Sequence, residues 1–116
     1  MVFDRNKNFE FIKSELPPIG IIKYLAESKV KSKTINLNEK TFVVYTDGVT
    51  EGYIKNGQEL GAEGVERIVK GLDVVTPKNI VDSIAAELNW GADNIRDDIT
   101  CLALDLKNIE PINKKM

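Results

Sequence analysis

The sequence contains no histidine and only one cysteine and one tryptophan among its 116 residues. A single cysteine, Cys101, excludes an internal disulfide, and without histidine there is no Cys/His cluster of the kind that binds zinc. The formal net charge is -2, the pI is about 5.2, and the lysines are scattered rather than clustered. The sequence therefore predicts neither a nucleic-acid-binding surface nor an anionic-membrane surface.

The chain also lacks any apolar run as long as a signal peptide or a membrane-spanning helix. A lone cysteine is typical of a reducing compartment, so we expect a cytoplasmic location, with any membrane anchor of a parent protein outside this chain. Hydrophobic residues make up 42% and charged residues 29% of the sequence. These shares are typical of one soluble globular unit.

Two segments place acidic residues at the ends of apolar strands. In the first, residues 41–46 run into Asp47 and Gly48, where the glycine permits a sharp turn. In the second, Asp97 and Asp98 directly precede an apolar run from 99 to 106. If the two strands pair in opposite directions, Asp47 meets the acidic pair at one edge of the sheet. Clustered carboxylates repel one another unless a cation offsets their charge, and a hard divalent cation suits them best.

The remaining pattern predicts a hairpin, a second strand and two helices. Residues 2–4 and 9–13 flank a polar turn, and residues 30–37 alternate apolar with polar as a half-exposed strand does. After Gly48 the chain is polar and irregular as far as residue 57. Apolar residues recur at helical spacing within 65–72 and 80–88, so helices are expected at 62–71 and from Thr76, a good N-cap before Pro77, to about residue 90. Strands separated by two consecutive helices indicate an α+β layered domain.

Together these motifs resemble the C-terminal part of a metal-dependent serine/threonine phosphatase of the PPM (protein phosphatase 2C-like) family, stage II sporulation E type. The likeness rests on residues 16–21, 42–52, 56–61 and 96–100 and covers nearly the whole chain. It implies an α+β fold, a PPM-like β-sandwich with a flanking antiparallel helix pair. Residues 1–107 would be the C-terminal part of the phosphatase domain, and residues 108–116 a polar tail.

The resemblance also implies a site. Asp47 and Asp97 would be ligands of one ion in a two-ion Mg²⁺ or Mn²⁺ centre, and Asp98 is the alternative to Asp97. Water held between the ions would attack the phosphorus of phosphoserine or phosphothreonine without a phosphoenzyme, so no side chain is assigned as catalytic. Further candidates for direct or indirect metal contact are Asp98, Gly48, Thr46, Thr100 and Glu51.

Each of these residues also has a simpler interpretation. Asp47 and Gly48 are common turn residues, and the acidic pair can be solvated or can pair with Arg96. Glu51 can be a solvated loop residue, and threonine merely suits strands. A haloacid-dehalogenase loop is excluded, because Tyr45 stands where that chemistry requires an aspartate nucleophile.

The family's amino-terminal half, with its own aspartate and an ion-bridging aspartate-glycine turn, has no counterpart in this sequence. We therefore expect a fragment, from a truncated chain or a split reading frame, that is inactive or nearly so by itself. An uncovered apolar sheet face, prone to self-association, should accompany it. The implied substrate is a phosphoprotein, by analogy an anti-sigma-factor antagonist. The alternative is a non-catalytic interaction module or one half of a split phosphatase.

Overall fold

The computed structural model describes residues 1–14, 16, 20–24, 30–88 and 98–105. In chain order the elements are β1 (Val2–Phe3), β2 (Phe9–Glu10), β3 (Thr41–Tyr45), α1 (Asp47–Thr50), α2 (Gly61–Gly71), α3 (Pro77–Glu87) and β4 (Cys101–Asp105). The predicted hairpin, central strand, helix pair and closing strand are therefore all present.

The strands form one antiparallel sheet in the order β2-β1-β3-β4. β1 and β2 pair through Phe3 and Phe9, as the hairpin prediction requires. The Asp4 carboxylate orders the turn between them, because it accepts hydrogen bonds from the backbone amides of Asn6 at 2.8 Å and Asn8 at 3.1 Å. β3 and β4 pair over five residues each, from Thr41 opposite Asp105 to Tyr45 opposite Cys101.

The two faces of the β3 and β4 ribbon differ in their surroundings, because successive side chains along a strand point to opposite faces. Val43, Tyr45, Cys101 and Ala103 pack on the core, together with buried side chains of α2 and α3. On the other face, Val44, Leu102 and Leu104 are 45%, 52% and 41% exposed. The expected uncovered apolar surface is thus present at this end of the sheet.

Both long helices contribute the apolar stripes that their sequences predict. Val65, Ile68 and Val69 are buried on α2, and Ile80, Ile84 and Leu88 are buried on α3 or at its C-cap. The α3 start is also as predicted, since the Thr76 hydroxyl accepts from the Asn79 amide at 3.1 Å and Pro77 opens the helix. The predicted end near residue 90 lies outside the described residues.

The Lys7 side chain ties the hairpin turn to the end of α2. Its ammonium group donates to the backbone carbonyls of Lys70 at 2.8 Å and Leu72 at 3.1 Å. Carbonyls at a helix C-terminus lack intrahelical partners and carry partial negative charge, so a cation there is favourable. This contact holds the edge of the sheet against the helix layer.

Two local predictions are wrong. Residues 30–37 form no strand and are mostly exposed, because alternation alone does not make a strand without a neighbour to accept its hydrogen bonds, and the described sheet ends at β2 and β4. Residues 49 and 50, expected to begin an irregular segment after Gly48, instead belong to the short helix α1. The backbone amides of Val49 and Glu51 donate to the carbonyls of Thr46 and Asp47, which closes the turn.

The described residues therefore combine one antiparallel sheet of four strands with three helices. This mixed architecture is compatible with the expected α+β class, and the second sheet of a sandwich stays a prediction. No helix among the described residues is long and apolar enough to span a bilayer.

Alkaline pH should destabilise this fold. Burial raises the pKa of the Cys101 thiol, and burial together with the neighbouring Cys101 raises the pKa of the Tyr45 hydroxyl. The folded state holds both protons more tightly than the unfolded state does, so this contribution is complete below the unfolded pKa values and is lost as pH rises through the folded ones. Urea titrations should show the free energy of unfolding declining from about pH 8.5 upward.

The matched variant is Cys101→Ala. Its free energy of unfolding should decline less steeply with pH, because one of the two titrating groups is gone. A decline of equal slope in wild type and variant would show that the thiol does not contribute.

Candidate metal centre

The register of β3 and β4 brings the two acidic segments to the same edge of the sheet. After the last pair, Tyr45 opposite Cys101, the Thr46 amide donates to the Thr100 carbonyl at 3.0 Å. One residue further in each direction, the chain reaches Asp47 and Ile99, and Asp98 follows. The predicted meeting of the Asp47 turn with the acidic segment is thus present for Asp98, and both side chains are exposed.

Thr46 links these segments through its side chain. Its hydroxyl donates to the Asp98 carbonyl at 3.2 Å and accepts from the Thr100 amide at 3.1 Å. Thr100 takes part through its backbone amide and carbonyl. A hydroxyl has one proton to donate and can also accept, so the two bonds use both capacities of the Thr46 side chain.

Gly48 lies against the same carbonyl. It is buried, and a Cβ placed on it would stand 2.2 Å from the Asp98 carbonyl oxygen and 2.9 Å from the carbonyl carbon. Because the obstructing atoms belong to the backbone, no side-chain rotation relieves the clash. Glycine is therefore required here for close approach, which brings the backbone of α1 into contact with residue 98.

The other candidates have different outcomes. Asp97, the first choice as second ligand, lies outside the described residues, as does Arg96, so its role stays a prediction. Glu51 is exposed and is the C-cap residue of α1, where its amide donates to the Asp47 carbonyl at 2.8 Å. That position anchors the turn, and a role for its carboxylate at the ion stays a prediction.

The donor chemistry of this edge fits part of a magnesium or manganese site. Carboxylate oxygens are the ligands that these hard cations prefer, and an exposed edge leaves room for the waters that they retain. Among the described residues, however, no group of three or more Asp, Glu, Cys or His side chains is placed to hold an ion. A role of Asp47 and Asp98 as ligands of one ion therefore stays a prediction.

A separate concavity lies away from this edge. An open groove of about 1060 Å³ runs between residues 54–60, α2 and α3, with Leu60 and Ile68 in its lining and Glu59, Glu63 and Arg67 among its charged residues. None of the candidate ligands that the structure describes lines it. The groove and the candidate metal centre are therefore distinct features of the surface.

Comparison with known proteins identifies the family of this chain. A family model described as stage II sporulation protein E (SpoIIE) matches residues 1–107. The chain belongs to the stage II sporulation protein E family. The matched region is the family's PPM-type phosphatase domain, and PPM phosphatases are hydrolases that generally use Mn²⁺ or Mg²⁺. No curated protein and no solved structure matches the chain.

The sequence analysis did not single out Gly52, which packs the end of α1 against the end of α3. Gly52 is buried, and a Cβ on it would approach the Leu88 Cδ2 atom to 2.5 Å. Gly48 and Gly52 thus allow the short helix α1 to contact residue 98 on one side and the end of α3 on the other. The spacing of two glycines around the three-residue stretch Val49-Thr50-Glu51 was the available signal.

A Gly48→Ala substitution should disrupt the centre. The added methyl group must displace the backbone of residue 98, and overpacking of this kind costs about 1–3 kcal/mol of unfolding free energy. Urea unfolding should measure that loss, and Mn²⁺ binding should weaken in parallel. Gly71→Ala is the matched control, because a Cβ there meets no atom within 4 Å. Equal stability of the two variants would contradict the close approach.

Proposed function

We propose that this chain supplies part of the metal centre of a protein serine/threonine phosphatase. The observation that carries the proposal is the contact between the Asp47 turn and residue 98, made by Thr46 and Gly48 at one sheet edge. Membership of the stage II sporulation protein E family gives this edge its chemical interpretation.

In the proposed site, Asp47 and Asp97 hold an ion through their carboxylates, and Asp98 takes the place of Asp97 if the second acid is the ligand. When bound, the two ions of the complete centre supply an activated water and neutralise charge on the phosphoryl group. The chain's own residues bind and orient: the carboxylates fix the position of the cation, and residues 46–48 fix the position of Asp47.

The chain's potential nucleophiles support hydrolysis by water rather than through a phosphoenzyme. The sequence has no histidine, and its one thiol, Cys101, is half-buried on the core face of β4. Burial raises the pKa of that thiol, which keeps it protonated and weakly nucleophilic. Direct attack by water requires neither group.

We also propose that a further polypeptide segment supplies the remaining ligands of the centre, and that the chain alone is inactive or nearly so. Two carboxylates at the described edge are too few for a two-ion site. The exposed side chains of Val44, Leu102 and Leu104 offer an apolar face on which a second sheet can pack. The sandwich expected of a PPM-like domain would cover that face.

The substrate we propose is a phosphoprotein, by analogy an anti-sigma-factor antagonist, acted on in the cytoplasm. The same exposed apolar face also favours a second candidate function, a non-catalytic interaction module or one half of a split phosphatase. In that case the face would bind a partner or a second copy of the chain, and the aspartates at the sheet edge would take no part in phosphate-ester hydrolysis.

Calorimetric titration of Mn²⁺ and Mg²⁺ into this chain should show weak binding that the Asp47→Asn substitution abolishes, because one carboxylate ligand is lost. Aryl phosphate hydrolysis should be absent from the isolated chain and present in a complete parent domain supplied with Mn²⁺. Asp73→Asn is the control, since Asp73 is also an exposed aspartate but lies beside the hairpin turn, with Asp4, Arg5 and Lys7.

Two results would count against the proposal. Binding that survives Asp47→Asn would make this residue a turn residue only. A complete parent domain that bound Mn²⁺ yet hydrolysed no aryl or protein phosphate would favour the interaction module.

A further inference from the structure

Thr46 lies at the point where β3 ends and α1 begins, and its carbonyl accepts a hydrogen bond from α1 rather than from β4. In an antiparallel pair joined by hydrogen bonds, two opposite residues exchange both N–H···O=C bonds. Thr46 and Thr100 make only one of these two, from the Thr46 amide to the Thr100 carbonyl at 3.0 Å. The Thr46 carbonyl instead accepts from the Val49 amide at 3.0 Å, within α1.

The Thr46 hydroxyl replaces the missing acceptor. The Thr100 amide, which would otherwise donate to the Thr46 carbonyl, donates to the Thr46 hydroxyl at 3.1 Å. The same hydroxyl donates its proton to the Asp98 carbonyl at 3.2 Å. One side chain thus lets the backbone turn into α1 while residues 98–100 stay attached to the end of β3.

The close contact between the Asp98 carbonyl and Gly48 restricts where residues 98–100 can lie relative to the end of β3. The Asp98 carbonyl lies between the Thr46 hydroxyl and the backbone of Gly48, whose missing Cβ would overlap it at 2.2 Å. Asp47 sits between these two residues in the chain. A shift of residues 98–100 away from Thr46 would therefore change the separation between Asp47 and the acidic segment.

We propose that Thr46 is a positioning residue, whose hydroxyl sets the separation of Asp47 from residue 98 and so sets the affinity of the edge for a divalent cation. This role rests on the proposed function, because it assumes that Asp47 holds the ion. It assigns to Thr46 no contact with the ion itself. Partners that orient metal ligands in this way typically change metal affinity by about 10- to 100-fold when they are lost.

Two substitutions at Thr46 test the role. Thr46→Val keeps the branched shape and removes the hydroxyl, whereas Thr46→Ser keeps the hydroxyl. We expect the dissociation constant for Mn²⁺, measured by calorimetry on the 116-residue chain, to rise about tenfold in Thr46→Val and to stay near the wild-type value in Thr46→Ser. Thr34→Val, an exposed threonine in residues 30–37, is the matched control and should bind as wild type does.

Amide hydrogen exchange provides a second readout that needs no metal. The Thr100 amide should lose protection in Thr46→Val and keep it in Thr46→Ser, while the amides that pair β3 with β4 stay protected in both. Retained ladder protection separates a local change from general unfolding. If Thr46→Val loses that protection, Thr46→Ala removes the same hydroxyl and takes its place in the titration.

The outcomes are distinct. Wild-type affinity in Thr46→Val overturns the positioning role, whether or not the Thr100 amide loses protection. If wild type itself binds no Mn²⁺, the proposed function fails, and protection of the Thr100 amide alone decides the structural part: retained protection in Thr46→Val overturns it, and lost protection supports it.

Discussion

The antiparallel pairing of β3 with β4 determines how the Asp47 turn and residue 98 meet at one sheet edge. Five residue pairs, from Thr41 with Asp105 to Tyr45 with Cys101, fix the register. A shift of one residue would move every side chain of β4 to the opposite face of the sheet. It would also remove the bonds between Thr46 and residues 98–100, and the acids would no longer meet at one edge.

The helix layer fixes that pairing from one side only. Val43, Tyr45, Cys101 and Ala103 pack against α2 and α3, which excludes water from one face of the ribbon. A one-residue shift of β4 would turn Cys101 and Ala103 outward and bring the larger Leu102 and Leu104 into a core packed around smaller side chains, so packing on this face favours the observed register. The opposite face remains partly exposed at Val44, Leu102 and Leu104, so the same strands that build the site also provide a surface for further protein.

Sequence reasoning succeeded where a single local rule decides the outcome. Apolar periodicity predicted α2 and α3, Thr76 and Pro77 predicted the start of α3, and the strand ends predicted that Asp47 and Asp98 would meet. It failed at residues 30–37, where alternation was present without a partner strand, and at residues 49 and 50, where two backbone hydrogen bonds close a helical turn. The roles of Thr46 and Gly48 depend on a contact with a residue distant in sequence, which no local pattern reveals. Asp97 lies outside the described residues, so the choice between it and Asp98 still rests on the family motif.

The most direct test of a metal centre at this edge is paramagnetic broadening of backbone amide signals by substoichiometric Mn²⁺. The account predicts selective broadening at residues 46–48 and 98–100, and its loss in Asp47→Asn. Broadening centred instead on Glu59 and Glu63 beside the groove, or unchanged by the substitution, would contradict it. Such a result would leave the stage II sporulation protein E family assignment in place without a metal site at this edge.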